Sequence, residues 1–192
     1  MDTYHVVLYI HILSLLVGFS AGIIEAVCLL KLRGAETLEA AVPWGQLAGQ
    51  IEKAFPVAIV GLYATGGYMT HHFWSFSSSW VVIPIVGLAV LTLQGPLVAG
   101  RQGHKLKLAL MANGPGALGE DARRLTVDRP LWGAAFSNEG LVLAIVWVMT
   151  QKPGWGGAIA AVVIGYGVGA ALGLTLAHKP AIEAAPATEP AT

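Results

Sequence analysis

Long apolar stretches, separated by short polar segments, fill most of the chain and determine the fold that it predicts. Each stretch is close to the roughly 20 residues that a helix needs to cross a hydrocarbon core about 30 Å thick. The pattern therefore predicts an all-α fold, a polytopic transmembrane helix bundle that forms a single domain over residues 1–178. Four helices form the core of this bundle, and a Gly-rich fifth helix follows them. The five predicted spans lie at about residues 4–30, 54–72, 80–100, 131–150 and 156–177.

The distribution of basic residues predicts the orientation of the bundle. Five crossings place ten of the eleven Lys and Arg residues on one side of the membrane and leave only Lys152 on the other. Because basic residues in short loops are retained in the cytoplasm, we expect the N-terminus outside and the C-terminus in the cytoplasm. Residues 101–129 then form a cytoplasmic loop, and residues 179–192, which are mainly Ala, Pro, Thr and Glu, form a disordered tail.

Composition agrees with a membrane protein and narrows the class of partner. Hydrophobic residues make up 55% of the chain and charged residues 11%, whereas about a quarter of a soluble domain is charged. The formal net charge is zero, so we expect the lipid bilayer and no nucleic acid as a partner. The single cysteine, Cys28, lies inside the first span, which excludes a disulfide framework and a zinc-finger spacing.

Polar and small residues share one face of the first span. His11, Ser14, Gly18, Gly22 and Glu25 follow one another at steps of three and four residues, which places them above one another on a helix. The opposite face is Ile, Leu and Val, which suits lipid. The polar face is therefore expected to point into the bundle.

A second polar set lies deeper, in the half of the membrane near the basic residues. At about 1.5 Å per residue, Glu25 lies about 9 Å inside Lys31, and Gln94 lies about 9 Å from Gly100. Glu139, with Asn138 beside it, falls in the same layer. Charged groups at this depth cost about 2.5–3.5 kcal/mol each on insertion scales, so they should find partners inside the bundle. The layer is either a polar clasp that joins helices or a proton or cation conduit through Glu25 and Glu139.

Histidines near the other membrane surface offer a different chemistry. A b-type haem needs two axial ligands on facing helices at matching depth, and His11 with His71 is the pair that the chain offers. A Cu or Zn site from His11, His71 and His72 is a further possibility, since imidazole suits both metals. The alternative is that His11 is hydrogen-bonded inside the bundle, and that the other two face water.

The fifth span carries small residues at every fourth position. Such a ridge lets another helix approach closely, which is how membrane helices pack without a hydrophobic driving force. We expect Gly165, Gly169 and Gly173 to pack within the bundle or against a partner, which includes a second copy of the chain. The full ridge is Gly157, Ala161, Gly165, Gly169, Gly173 and Ala177.

Several short motifs resemble those of a known family. They are an intramembrane His in the first span, Thr65-Gly66-Gly67-Tyr68, Gly100-Arg101, and Trp147-Val148-Met149 before Lys152-Pro153. Over roughly residues 1–153 the chain resembles the bacterial predicted integral membrane proteins called domain-of-unknown-function group 2269. The resemblance implies a helix bundle in the bacterial cytoplasmic (inner) membrane and implies no reaction. The fifth span lies outside the pattern.

Catalytic motifs are absent from the sequence. It has no G-x-S-x-G, no H-E-x-x-H and no phosphate loop. The leading hypothesis is therefore a non-enzymatic membrane subunit or accessory protein, which binds another membrane protein or itself. A haem or metal protein and a proton or cation conduit are the two alternatives.

Overall fold

A computed structural model describes residues 2–178, and within that range the chain is helical and contains no strand. A six-residue π-helix, Gly95–Gly100, joins the fourth helix to the fifth without a break. The predicted tail, 179–192, lies outside the described residues. The helices are α1 (Thr3–Gly34), α2 (Leu38–Ile51), α3 (Ala54–Phe73), α4 (Ser79–Gln94), α5 (Arg101–Ala112), α6 (Glu120–Thr126), α7 (Arg129–Gln151) and α8 (Trp155–Ala177).

Side chains at the helix starts explain where several elements begin. The Asp2 carboxylate accepts a hydrogen bond from the Tyr4 backbone N–H at 3.3 Å, and the Asp128 carboxylate accepts one from Leu131 N–H at 2.9 Å. Pro130 occupies the first turn of α7, where its missing N–H costs no hydrogen bond. These caps satisfy donors that have no partner within the helix.

Aromatic side chains gather where α1 begins, and we call this the aromatic end of the bundle. The Tyr4 ring lies 5.0 Å from Phe73 and 6.2 Å from Trp74, between ring centroids. Lys152 lies here too, with its ammonium 4.6 Å from the centre of the Trp80 ring. The end of α3, the start of α4 and the end of α7 therefore meet at one level.

The opposite end, where α1 finishes, carries Lys31, Arg33, Arg123, Arg124 and Arg129, and we call it the basic end. The Arg33 guanidinium donates to the backbone carbonyl of Leu176, which links the last turns of α1 and α8. A small apolar core joins α1 to α2, α5 and α6 at this end. Its buried members are Leu32, Ala35, Ala41, Leu106, Leu110, Leu118 and Ala122.

Residues 101–129, predicted as a cytoplasmic loop between two spans, contain the helices α5 and α6. Helix α5 buries Leu106 and Leu110 on one face, while Lys105 and Lys107 are exposed on the other. An antiparallel bridge between Thr37 and Ala117 also ties this segment to the link between α1 and α2. The segment folds because α2, a helix that the sequence did not predict, covers its apolar face.

The helix pair α7 and α8 is held by direct backbone contact. Three glycines of α8, each four residues from the next, face main-chain atoms of α7, and no side chain separates the two helices there. The glycine ridge therefore packs inside this chain, which is one of the two arrangements that the sequence left open. The contacts pair Gly165 with Gly140, Gly169 with Phe136, and Gly173 with Trp132.

Four helical stretches in residues 2–178 are long and apolar enough to cross a membrane. Helix α3, the second of the five predicted spans, has 20 residues but is not one of them, since polar residues such as Thr65 and His71 lower its mean hydropathy. The structure confirms an all-α bundle with four to five long apolar helices. The count of five crossings stays a prediction. The four stretches are Thr3–Gly34, Ser79–Ala112, Glu120–Gln151 and Trp155–Ala177.

Candidate functional site

The interface of α1 with α3 and α7 contains the residues predicted to share one face of α1. Gly18 lies against Ala58, with 3.1 Å from its Cβ position to the Ala58 Cβ, and Ser14 lies against Gly61. One turn further along, buried Gly22 lies against the Glu139 carboxyl group of α7. The polar face of α1 points into the bundle, as predicted.

Glu139 owes its position to the absence of a side chain at Gly22. A Cβ on Gly22 would lie 2.6 Å from the carboxyl carbon of Glu139, closer than atoms can pack. One oxygen of this carboxyl group, Oε2, is buried and has no hydrogen-bond partner among residues 2–178. A buried carboxyl oxygen in this state costs free energy unless a proton, a water or a cation satisfies it.

Two further carboxyl groups continue from Glu139 towards the basic end. Glu25 lies on α1 three residues beyond Gly22, so it is one turn nearer the basic end than the contact with Glu139. Glu52 is exposed, and its Oε1 lies 3.5 Å from the Cβ position of Gly100, at the end of the π-helix. We call Glu139, Glu25 and Glu52 the carboxyl row.

The carboxyl row is not neutralised by an ion pair within the described part of the chain. There the carboxyl oxygens of the row have no Lys, Arg or His nitrogen within 4.0 Å. No group of three or more His, Cys, Asp or Glu side chains there is arranged to hold a metal ion. The row thus has neither an ion pair nor a metal-binding cluster among residues 2–178, and it runs from the half-buried Glu139 to the exposed Glu52.

Gln94 belongs to a separate hydrogen-bonded set that joins α4, α7 and α8. The Gln94 amide nitrogen donates to Ser137 Oγ at 2.8 Å, and the Tyr166 hydroxyl donates to Gln94 Oε1 at 2.8 Å. We call Gln94, Ser137 and Tyr166 the amide clasp. The nearby Asn138 Oδ1 is buried and has no partner among residues 2–178.

The residues predicted to form one polar layer thus belong to two separate sets, the carboxyl row and the amide clasp. Sequence reasoning missed one member of each set, Glu52 in the row and Tyr166 in the clasp. The predicted clasp joined the first, third and fourth spans, whereas the observed clasp replaces α1 by α8 through Tyr166. Tyr166 lies in the run Gly165-Tyr166-Gly167 of the apolar helix α8. Its hydroxyl group, which needs a hydrogen-bond partner inside a bundle, was the one feature of the sequence that could have predicted this contact. Glu52 was missed because it lies in a connecting segment, outside any predicted span.

His11 makes a single side-chain hydrogen bond across the interface with α3. Its Nδ1 lies 2.8 Å from Thr65 Oγ1, and Thr65 in turn donates its only hydroxyl hydrogen to the Gly61 carbonyl at 2.6 Å. Because the Thr65 hydroxyl hydrogen is already used, His11 Nδ1 carries the hydrogen of this bond and donates to Thr65. The predicted alternative of a hydrogen-bonded intramembrane histidine matches this geometry.

The other two predicted ligands lie at the aromatic end and are exposed. His72 donates from Nδ1 to the Tyr68 carbonyl at 3.0 Å, and its ring stacks on Tyr68 with 4.2 Å between centroids. His71 follows Thr65, the partner of His11, by six residues, which is about 9 Å along α3. This offset does not favour His11 and His71 as ligands of one haem, and the haem and metal hypotheses stay predictions.

Comparisons with protein families, curated proteins and solved structures assign no function to this chain. No protein-family model, curated protein or solved structure matches it. The resemblance to domain-of-unknown-function group 2269 therefore stays a prediction, and function has to be argued from the geometry above.

Proposed function

We propose that this chain is a non-enzymatic subunit or accessory protein of the bacterial inner membrane, whose carboxyl row exchanges protons with the compartment at the basic end. The observation that carries the proposal is the Glu139 carboxyl group, which has one buried oxygen without a partner among residues 2–178 and lies in the space left by Gly22. Intramembrane carboxyl groups that lack a basic partner are rare in structures and mark proton or ion sites.

The direction of access follows from the packing on either side of the row. Towards the basic end, the row finishes at Glu52, which is exposed. Towards the aromatic end, Gly18 lies against Ala58 and Ser14 lies against Gly61, so small residues let α1 and α3 pack closely there. We therefore infer proton exchange between Glu139 and the compartment at the basic end, which suits a site that responds to that compartment and does not suit a complete conduit.

The membrane arrangement is part of the same proposal. Helix α3 runs antiparallel to α1 from Thr65, beside His11, to Ala58, beside Gly18, so it lies at the depth of a spanning helix. With α3 included, five crossings put the aromatic end outside and the basic end in the cytoplasm. Basic residues at the cytoplasmic side and aromatic residues at the interface support this orientation.

Infrared difference spectroscopy of the protein in lipid tests the proton site directly. A change of pH should produce a carboxyl carbonyl band in the wild type, and this band should be lost in Glu139→Gln. The matched control is Glu120→Gln, because Glu120 is exposed at the start of α6, outside the five predicted spans. An identical band in wild type and Glu139→Gln would overturn the proposal.

Two further measurements separate a one-sided site from the alternatives. Liposomes that contain the protein and a trapped pH dye should show no flux above empty liposomes. Flux that falls in Glu25→Gln would instead establish a conduit. A subunit should also co-purify with another membrane protein, and isolation alone with unchanged physiology after deletion would contradict that part of the proposal.

A further inference from the structure

A cleft on the surface of the bundle suggests a ligand that the carboxyl row does not explain. The cleft has a volume of about 650 Å³ and lies between α4 with its π-helix, α7 and α8. Leu97, Val98, Ala170 and Leu174 are among its apolar lining, and Arg129 lies at its basic end. We propose that this cleft binds one anionic phospholipid, with an acyl chain along the apolar walls and the headgroup phosphate on Arg129.

The shape of the cleft fits an acyl chain of the leaflet on the basic side. Along α4 and the π-helix it extends from Val90 to Val98, which is about 12 Å at 1.5 Å per residue. One leaflet of a hydrocarbon core is about 15 Å deep, so the cleft covers most of that depth. It is open on its outer side, where the lining residues Leu93 and Leu97 are 62% and 49% exposed.

Three features make room for the chain in this position. Pro96 has no N–H to donate, and the helix around it adopts the wider π form. Gly133 has no side chain to fill the wall, and its nearest neighbour is Leu174, 3.6 Å from the Cβ position. Ala170 adds only a methyl group. The cleft is thus shaped by small residues and by a local change of helix type.

Apart from Arg129 at the basic end, the polar side chains in the cleft are hydrogen-bonded to one another, which favours an apolar chain over a polar ligand along the walls. The Tyr166 hydroxyl donates its hydrogen to Gln94 Oε1, and the Gln94 amide nitrogen donates to Ser137 Oγ. The amide clasp therefore already uses these groups of the two cleft residues Tyr166 and Gln94. A sugar or a nucleotide would find few free partners along these walls. An acyl chain needs none.

Arg129 supplies the preference for an anionic headgroup. Among residues 2–178 its guanidinium has no carboxylate within 4.0 Å, and the neighbouring Asp128 carboxylate is used to cap α7. A guanidinium can donate two parallel hydrogen bonds to a phosphate group. Exposed Arg123 and Arg124 at the same end add a positive potential, which favours a lipid with net negative charge over a zwitterionic one.

Native mass spectrometry of the full-length protein in mild detergent tests this site with two defined lipids. The protein is incubated with dioleoyl-phosphatidylglycerol or with dioleoyl-phosphatidylcholine at equal concentration. We expect one phosphatidylglycerol per chain, retained about fivefold better than phosphatidylcholine, which is the factor for one Arg near a phosphate. Equal retention of the two lipids in the wild type would overturn the proposal.

Paired variants separate the headgroup contact from the acyl-chain contact. Arg129→Gln should reduce the preference strongly, while Lys152→Gln, at an exposed position at the aromatic end, should keep it. Ala170→Leu should reduce retention of both lipids because it fills the cleft. Gly133→Ala is the milder filling variant, since its added methyl group meets Leu174 at an ordinary distance.

The outcomes of this series each decide the question. An Arg129→Gln protein that keeps the preference would exclude this arginine as the headgroup contact. Retention that is unaffected by both filling variants would indicate binding to the charged surface alone. If Ala170→Leu does not fold, as judged by far-ultraviolet circular dichroism, Gly133→Ala and Arg129→Gln still test both contacts.

Discussion

The contact between α7 and α8 predicts a large difference between two glycine substitutions that lie only two residues apart. Gly169 faces the backbone of α7, whereas a Cβ at Gly167 would meet nothing within 4 Å. Gly169→Ala and Gly167→Ala add the same methyl group to the same helix. Both gain the same helix propensity, about 1 kcal/mol, so their difference isolates the helix contact.

The magnitude follows from the distances at the contact. A Cβ on Gly169 would lie 2.9 Å from the Phe136 carbonyl carbon and 3.0 Å from the Ser137 Cα, whereas ordinary carbon contacts are about 3.5–4.0 Å. The two helices must therefore separate by roughly 0.5–1 Å, which loses a quarter to a half of each nearby dispersion contact. Overpacking of this kind costs about 1–3 kcal/mol. We expect Gly169→Ala to be less stable than Gly167→Ala by that amount.

Unfolding in mixed micelles of rising dodecyl sulfate content, followed by circular dichroism, measures this difference. The midpoint for Gly169→Ala should fall well below that for Gly167→Ala, which should match or exceed the wild type. Equal midpoints for the two variants would show that the glycine ridge does not hold α8 on α7. That result would also reopen the predicted alternative, a ridge that packs on a partner.

Three further predictions concern other parts of the molecule. Trp132 is fully buried and donates from Nε1 to the Thr126 carbonyl at 2.9 Å, so Trp132→Phe should cost about 1–3 kcal/mol in the same unfolding assay, while Trp155→Phe, at a half-exposed side chain, should cost little. Hydrogen bonds from the backbone N–H groups of Glu39 and Gly116 lower the pKa of the Glu39 carboxyl group below its ordinary value of 4.5. The stability that these bonds provide is therefore present above pH 4.5 and is lost as the pH falls through the lowered pKa. Glu39→Gln should flatten that part of an acid titration of stability, and an unchanged slope would contradict the contact. The haem hypothesis predicts sharp α and Soret bands in a reduced-minus-oxidised spectrum that disappear in His11→Ala, and a flat spectrum after expression with ample haem would refute it.

The spacing of residues in the sequence was sufficient to predict the polar face of α1, because the period of a helix depends only on neighbouring residues. Steps of three and four residues placed Ser14, Gly18 and Gly22 on one side, and the structure has them against Gly61, Ala58 and Glu139. The glycine ridge of α8 was readable for the same reason. In both cases the pattern identified the contact face, and the partner came from the structure.

Features that depend on how helices rotate against one another were not predictable. The partner of Gln94 is set by the position of α8, and Tyr166 has the same local sequence whether it faces lipid or the bundle. Helix α2 was missed because it contains Pro43 and lies in a polar connection, and its fold depends on the apolar face of α5. The π-helix has no local signature beyond Pro96.

The bridge between Thr37 and Ala117 has a consequence for the order in which the protein is made. Its two residues are separated by 80 positions in the chain, with α3 and α4 between them. At about 5–20 residues per second, a ribosome needs roughly 4–16 s to synthesise that interval. During this time α5 and α6 are missing, and α2 has no apolar surface to cover. The small apolar core at the basic end, which needs α2, α5 and α6, therefore forms only after α6 has been synthesised. Until that point the nascent chain exposes α2 to chaperones and proteases.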